Sequence, residues 1–142
     1  MAITIKNIQA LNKIKEAGNR IAQILHDARS VVYPGISTFA LDLWVAGELQ
    51  RYGLVSCTQG YRGYKHVSCI SLNDVVVHGI PSKSIIVRDG DLVKIDICAS
   101  WQGYCADSAR CFFAGSPSIE AQRLVDVATN SLNNALEKAI VG

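Results

Sequence analysis

The chain has 142 residues, 49% of them hydrophobic, and a formal net charge of +2. That length allows one domain with its own core, and the hydrophobic content excludes a disordered chain. The small charge, and the lack of a Lys/Arg cluster with interleaved aromatics, exclude a dedicated nucleic-acid-binding protein. No apolar run reaches the roughly 18 residues of a membrane span, and the N-terminus does not resemble a signal peptide. We therefore expect a cytoplasmic protein.

Two helices are predicted in the first third of the chain. Apolar residues recur at three- and four-residue spacing over residues 7–30, and Asn7 is a suitable N-cap for this run. A second helix is expected from residues 37–38 to residues 51–52, where Gly53 ends it. Both helices carry an apolar stripe, so each is expected to pack on a core.

The middle of the chain is predicted to be rich in β-structure. β-branched and aromatic runs separated by glycines predict five strands: Leu54–Cys57, Val67–Leu72, Val75–His78, Leu92–Trp101 and Tyr104–Phe113. A third helix is expected to open at Ser116, with Pro117 at the first helical position. The order of elements predicts an α+β domain in which helices cover one face of an antiparallel sheet.

The last two predicted strands place two acidic residues close together. If residues 102–103 (Gln-Gly) form a two-residue turn, Cys98 faces Asp107 and Asp96 faces Ala109. Asp96 and Asp107 then lie on the same sheet face, with Cα atoms about 7–8 Å apart. A loop with an odd number of residues and no bulge would instead put them on opposite faces.

Asp96 and Asp107 both lie inside apolar runs, where an unpaired carboxylate is costly to bury. They could cap turns or pair with Lys94 or Arg110, but neither cation is well placed by the strand alternation. Because two like charges side by side repel, a bound divalent cation accounts for the pair better. Two carboxylates are too few for a tight site, so the remaining ligands must come from elsewhere.

Two other segments contain candidate site residues. His78 follows a run of three valines and precedes Gly79, which predicts an imidazole at a strand edge with backbone freedom beside it. The alternative is an ordinary structural histidine, as we expect for His26 and His66. The glycine-rich bend at residues 60–64 contains two tyrosines, and forms either a loop packed by its own rings or the wall of a pocket.

The five cysteines are odd in number and include no CxxC pair. This spacing excludes a zinc ribbon. In a reducing compartment, unpaired cysteines are typically small buried hydrophobes, and that is the prediction for all five.

Five segments together form a specific combination: Gly60–Tyr64, Cys69–Ser71, Asn73–Pro81, Gly90–Asp96 and Gly103–Ser108. Through them the chain resembles the type I methionine aminopeptidases over essentially its whole length. The resemblance implies a pita-bread fold built from two similar halves with a dinuclear metal site between them. Residues 1–142 would be the N-terminal half of that catalytic domain, and the C-terminal half would be absent.

The resemblance also implies an activity and roles for individual residues. The activity is metal-dependent removal of the initiator methionine, with two divalent ions as cofactors (Co, Mn, Fe, Zn or Ni). Asp96 would chelate one metal ion and Asp107 would bridge both. His78 would be a catalytic residue that contacts the substrate near the scissile amide. The side-chain pocket for methionine would be lined by Tyr61, Tyr64 and Cys69.

The implied partners are the N-termini of nascent polypeptides at the ribosome, with no nucleic acid and no membrane. Family members have further metal ligands, one His and two Glu, in their second half, so this chain alone is expected to be inactive or weakly active. An exposed apolar face is expected to cause self-association. Two alternatives stay open: a non-catalytic binding module of the same fold, and a proline-specific aminopeptidase.

Overall fold

A computed structural model describes residues 4–140. It contains three α-helices, α1 (Ile8–Asp27), α2 (Thr38–Arg51) and α3 (Ile119–Glu137), and four strands, β1 (Val55–Ser56), β2 (Cys69–Leu72), β3 (Leu92–Trp101) and β4 (Tyr104–Phe113). Short 3₁₀ turns occupy Ala28–Ser30 and Tyr61–Gly63. The predicted α+β class is confirmed. No helix within residues 4–140 is long and apolar enough to cross a membrane.

The sheet is antiparallel and centred on β3. Strand β4 pairs with β3 from Leu92↔Phe113 to Trp101↔Tyr104, whereas β1 and β2 pair with shorter parts of β3. Because a strand has two edges and β4 occupies one completely, β1 and β2 share the other. Between β3 and β4 the backbone φ angles are +49° at Gln102 and +82° at Gly103. Two positive φ angles are typical of the type I′ turn that favours tight hairpins, and the predicted two-residue loop is confirmed.

The core lies on one face of the sheet. Every second residue of β3 from Val93 to Ala99 is fully buried, and these side chains pack with the buried stripes of α1 and α2 in one cluster. The alternate residues of β3 are only partly buried. They lie on the other face, which we call the open face. Successive side chains of β3 point to opposite faces of the sheet, so one set of alternate residues builds the core and the other set lies on the open face.

The first two helices begin where the sequence predicts. Asn7 Oδ1 accepts a hydrogen bond from the Ala10 amide at 2.9 Å, and Ser37 Oγ accepts one from Ala40 at 3.1 Å. These contacts satisfy backbone donors in the first turn that have no partner within the helix.

The predicted start of the third helix was wrong by two residues. Ser118 is the N-cap, and its Oγ accepts a hydrogen bond from the Ala121 amide at 3.1 Å. Ser116 instead donates its own amide to Asp89 Oδ1, which keeps it in the preceding turn. Both Ser116 and Ser118 are residues that commonly cap helices. The hydrogen bond between Ser116 and Asp89, which is distant in sequence, leaves Ser118 as the cap.

Helix α3 keeps its predicted apolar period, but none of its residues is buried by the rest of residues 4–140. A groove of about 770 Å³ separates it from the open face, and Leu92, Leu124, Val125 and Leu132 are among the residues that line it. Leu124 is 62% exposed and Leu132 is 60% exposed. An apolar helical face this exposed is unusual for a monomer.

The predicted strand at Val75–His78 was wrong. No ladder pairs these residues, the chain turns where the Val75 amide bonds the Leu72 carbonyl, and Val76 is 78% exposed. The φ angles are positive at Asn73 (+47°) and His78 (+58°), so the backbone leaves the extended region at both ends of the valine run. β-propensity reflects packing on a pleated surface, whereas a cavity of about 150 Å³ lies between Val76, Val77 and the open face of the sheet.

A buried carboxylate on α2 holds the loop that leads into β2. Asp42 Oδ1 accepts hydrogen bonds from the amides of Val67 and Ser68 and from Ser68 Oγ, at 2.8–3.1 Å. Asp42 Oδ2 lies 2.8 Å from His66 Nδ1. These contacts satisfy a carboxylate that is 5% exposed, as a buried charge requires, and they give His66 the structural role that was expected for it.

Candidate metal centre and cleft

The β3–β4 hairpin brings the two predicted acids to the open face. Cys98 pairs with Asp107, and Asp96 pairs with Ala109. Since directly opposed residues share a face, Asp107 lies beside Cys98, and Asp96 lies diagonally from Asp107 on that same face. The predicted placement of Asp96 and Asp107 on one side of the sheet is confirmed.

Neither acid is neutralised by a basic side chain within the described residues. The salt bridges there involve Glu16, Glu48 and Asp42 only. Lys94, the nearest candidate on β3, donates its ammonium group to the Asn73 carbonyl at 2.6 Å instead. The structural alternative for the acids, pairing with Lys94 or Arg110, therefore does not hold.

The charge of Asp107 opposes the ionisation of Asp96. Burial, followed by the charge of Asp107 and a hydrogen bond to it, raises the pKa of Asp96 above its ordinary value of 3.8, while the nearby His78 lowers it. A partly buried pair of like charges is unfavourable by itself. A bound cation would remove the repulsion, so the electrostatics suit a metal centre.

A cleft of about 690 Å³ opens beside the acids. Its lining is aromatic, sulfur-containing and acidic, from Cys57, Thr58, Tyr61, Arg62, Gly63, Tyr64, Cys69, His78, Cys98 and Asp107. Asp96 lines a smaller adjoining cavity of about 150 Å³, which shares His78 with the cleft. The structure thus brings together all six residues singled out in the sequence, with His78 between the two cavities.

Tyr64 and Cys69 form one wall of the cleft. Tyr64 Oη donates a hydrogen bond to the Ser68 carbonyl at 2.8 Å and lies 3.5 Å from Cys69 Sγ. Burial, and next the contact with Cys69, raises the pKa of the Tyr64 hydroxyl above its ordinary value of 10.0. The ring is therefore fixed and uncharged, which suits an apolar ligand.

His78 is held in place by the glycine that follows it. The Gly79 amide donates to Ser71 Oγ at 2.9 Å, and the Gly79 carbonyl accepts from the Ile70 amide at 2.9 Å. A Cβ at residue 79 would collide with the Ile70 carbonyl. Glycine is needed here for close approach to β2, which corrects the expected role of backbone freedom.

The prediction that the cysteines are buried was wrong. Cys57, Cys69 and Cys98 are partly exposed, and Cys105 and Cys111 are exposed. Burial, followed by the proximity of Cys57 and Asp107, raises the pKa of the Cys98 thiol to about 12. Cys57 and Cys98 line the cleft although sequence reasoning gave them no role there. The signal for Cys98 was available, since strand alternation puts it on the face of Asp96.

The donor set fits part of a metal centre. Carboxylate oxygens suit hard and borderline divalent ions, and two are present on one face. Among residues 4–140, no group of three or more His, Cys, Asp or Glu side chains is arranged to hold a metal ion. The described part of the chain therefore offers two ligands and no complete ligand sphere.

Comparison with known proteins gives a consistent result. A family model for metallopeptidase family M24 matches residues 12–142. The methionine aminopeptidase of Aquifex aeolicus is 38% identical over 148 aligned residues, which cover 100% of this chain and 57% of the relative. The crystal structure of methionine aminopeptidase from Thermotoga maritima matches with a TM-score of 0.90 and 32% identity, over 94% of this chain and 54% of that chain.

A more distant likeness concerns the fold alone. The X-Pro aminopeptidase from Thermotoga maritima matches with a TM-score of 0.79 and 20% identity, over 94% of this chain and 36% of that chain. The expected pita-bread architecture is confirmed by these structures, and the chain spans about half the length of the curated relatives it matches. With 131 of its 142 residues inside the family match (12 to 142 inclusive), the chain belongs to metallopeptidase family M24.

Proposed function

We propose that this chain forms the N-terminal half of the catalytic domain of a methionine aminopeptidase, which removes the N-terminal initiator methionine from nascent polypeptides. The observation that carries this is the placement of Asp96 and Asp107 on one sheet face beside a cleft lined by aromatic rings and sulfur. Such a substrate places the activity in the cytoplasm, where polypeptides emerge from the ribosome.

The proposed metal centre holds two divalent ions, with Asp96 chelating one and Asp107 bridging both. Bound ions of this kind lower the pKa of a water molecule and polarise the scissile carbonyl. Their remaining ligands come from outside residues 1–142. The open face supports this arrangement, since the part of it around Asp96 and Asp107, on the side opposite α1 and α2, is available to a second group of ligands.

The cleft would bind the methionine side chain. Tyr61 and Tyr64 offer ring faces, and thioether sulfur makes favourable contacts with aromatic rings. Cys69, which contacts Tyr64, adds a small polarisable wall. His78 lies between this cleft and the cavity of Asp96, so its imidazole is placed to donate a hydrogen bond to a substrate whose side chain fills the cleft and whose amide lies near the acids.

We expect the purified 142-residue chain with Mn²⁺ or Co²⁺ to show little or no turnover of a Met-Ala peptide, because two carboxylates are an incomplete ligand set. The same peptide should nevertheless bind, and shift the NMR signals of Tyr64 and Cys69 more than an Ala-Ala peptide does. Robust turnover would refute the inactivity, and equal shifts with both peptides would refute the methionine pocket.

Two alternative functions differ from this proposal in the peptides that the cleft would bind. A non-catalytic binding module would have no use for a repulsive acid pair, and would bind peptides without regard to metal. A proline-specific aminopeptidase would favour peptides with proline in the second position. The identity of 38% to a methionine aminopeptidase, against 20% to the X-Pro enzyme, favours methionine, and a peptide panel separates the three.

We also infer that the chain self-associates through α3 and the groove beside it. Sedimentation velocity should show an average mass that rises with concentration, together with binding of a hydrophobic dye. Leu132→Glu should reduce both, whereas Asn134→Glu should not, because residues two apart on a helix point about 200° from each other. A monodisperse monomer that binds no dye would contradict this inference.

A further inference from the structure

Two cysteine side chains meet on the open face at the rim of the cleft. Cys57 follows β1, and its amide donates a hydrogen bond to the Cys98 carbonyl of β3. Cys105 lies on β4, opposite Ser100 of β3. The two cysteines thus approach from opposite edges of β3, and their Sγ atoms are 3.4 Å apart.

We propose that Cys57 and Cys105 are a redox-sensitive pair that forms a reversible intramolecular disulfide. A disulfide bond is about 2.05 Å long, so the two sulfur atoms, now 3.4 Å apart, need to approach by about 1.4 Å. Because β3 lies between Cys57 and Cys105, and a disulfide holds its two Cα atoms within about 6.8 Å, closing the gap takes a shift of the short backbone segment at Cys57 as well as side-chain rotation. The two residues are 48 positions apart in the chain, so this bond would connect elements distant in sequence.

The surroundings favour this pair over the other cysteines. Cys105 is exposed and Cys57 is partly exposed, so a small oxidant reaches both. Cys69 is engaged with Tyr64 on the far wall of the cleft. Cys98 lies between the two edges, next to both Cys57 and Asp107, and is the natural competitor for Cys57.

The oxidant is a hydroperoxide, of which hydrogen peroxide is the simplest. One thiol is oxidised to a sulfenic acid as the O–O bond breaks, and one molecule of water is released. The second sulfur then attacks the sulfenic sulfur, the S–S bond forms, and the hydroxyl group leaves with the second thiol proton as water. Two thiols lose two electrons in total, and one peroxide gains them.

The bond would connect two parts of the cleft. It would tie the start of the segment that carries Tyr61 and Tyr64 to β4, two residues from Asp107. Closing a long loop removes conformational freedom from the unfolded chain, so the oxidised form should melt at a higher temperature. The cleft segment should also exchange its amide hydrogens more slowly. Neither effect depends on metal or on peptidase activity. The disulfide proposal is therefore tested separately from the proposed function.

The test starts from the reduced 142-residue chain and adds one equivalent of hydrogen peroxide. Free thiols are then alkylated, and the digested protein is mapped by mass spectrometry. We expect an intramolecular Cys57–Cys105 link as the main product, with the intact monomer two hydrogen atoms lighter. Dithiothreitol should restore the reduced mass and melting temperature.

Single substitutions give matched controls. Cys57→Ser and Cys105→Ser should abolish the link and the rise in melting temperature. Cys111→Ser removes another exposed thiol from the same strand and should leave both unchanged. A dominant Cys57–Cys98 link, a predominantly intermolecular product, or no disulfide in the unsubstituted chain would each overturn the proposal. The map of the unsubstituted chain decides the matter even if a variant folds poorly.

Discussion

Replacing Asp96 or Asp107 with asparagine is expected to weaken divalent-metal binding by this chain strongly. Each substitution keeps the shape of the side chain and removes one of the two proposed anionic ligands on the open face. With so few ligands, loss of one should weaken Mn²⁺ binding at least about tenfold, since coordination of hard ions depends on charged oxygens. Paramagnetic broadening of NMR signals near residues 96 and 107 measures the binding.

The matched control is Asp126→Asn, the same substitution on the exposed α3 helix, where Asp126 only accepts a hydrogen bond from Gln122. This variant should bind Mn²⁺ as the unsubstituted chain does. If either open-face variant retained full metal affinity, that residue would have no place in the metal centre. If the control lost affinity equally, the effect would be one of overall charge.

Asp96→Asn should also stabilise the metal-free protein. The folded-state pKa of Asp96 is raised, so folding favours the protonated carboxyl group. The contribution of this group to folding stability is fully present below its unfolded-state pKa and is lost as the pH rises through its folded-state pKa. At neutral pH the charged pair is therefore a net cost to folding. Asp96→Asn removes that cost, and urea denaturation should show a gain of about 0.5–1 kcal/mol at pH 7. That gain should shrink as the pH falls toward the ordinary pKa of 3.8.

Gly79→Ala is expected to be the most damaging small substitution near the cleft. The added Cβ collides with the backbone carbonyl of Ile70, which cannot move without disturbing β2. Two hydrogen bonds made by Gly79 would be lost or bent. Overpacking and lost hydrogen bonds together should cost about 3 kcal/mol of unfolding free energy. His78, the preceding residue, should move with the backbone, and its NMR signals should shift.

Gly47→Ala is the control for that experiment. Residue 47 lies within α2, and an added Cβ there meets no atom within 4 Å. Alanine is favoured over glycine in a helix, so this variant should gain about 0.5–1 kcal/mol. If Gly47→Ala raises the unfolding free energy and Gly79→Ala lowers it, the loss at residue 79 comes from its close approach to Ile70 and not from the loss of a glycine as such. Equal unfolding free energies in both variants would contradict the contact described between Gly79 and Ile70.

Local patterns were enough to predict which residues of β3 and β4 lie on the open face of the sheet. The Gln102-Gly103 turn and the alternation of β3 and β4 depend on near neighbours, so they placed Asp96 and Asp107 correctly. The caps at Asn7 and Ser37 are equally local. These features follow from backbone geometry that a few adjacent residues impose.

The errors arose where a distant contact decides the outcome. The valines before His78 have strand propensity, but they pair with no strand of the described residues, and a cavity lies between them and the open face. Ser116 is a suitable N-cap residue, but its amide donates a hydrogen bond to Asp89 instead. The exposure of Cys105 and Cys111 follows from the uncovered state of the open face, which composition does not reveal. Asp42 was not singled out at all, because nothing near it in sequence indicates that its partners lie 24 to 26 residues away.

Helix α2 supports both margins of the cleft from behind. Asp42 fixes the backbone just before Cys69, and Thr38, one turn earlier, exchanges two hydrogen bonds with Ser82, shortly after His78. A substitution on the hidden side of this helix would therefore tilt the Tyr64–Cys69 wall of the cleft and the His78 imidazole together, without changing any residue that lines the cleft. The shape of the cleft can thus be altered from one layer beneath its surface.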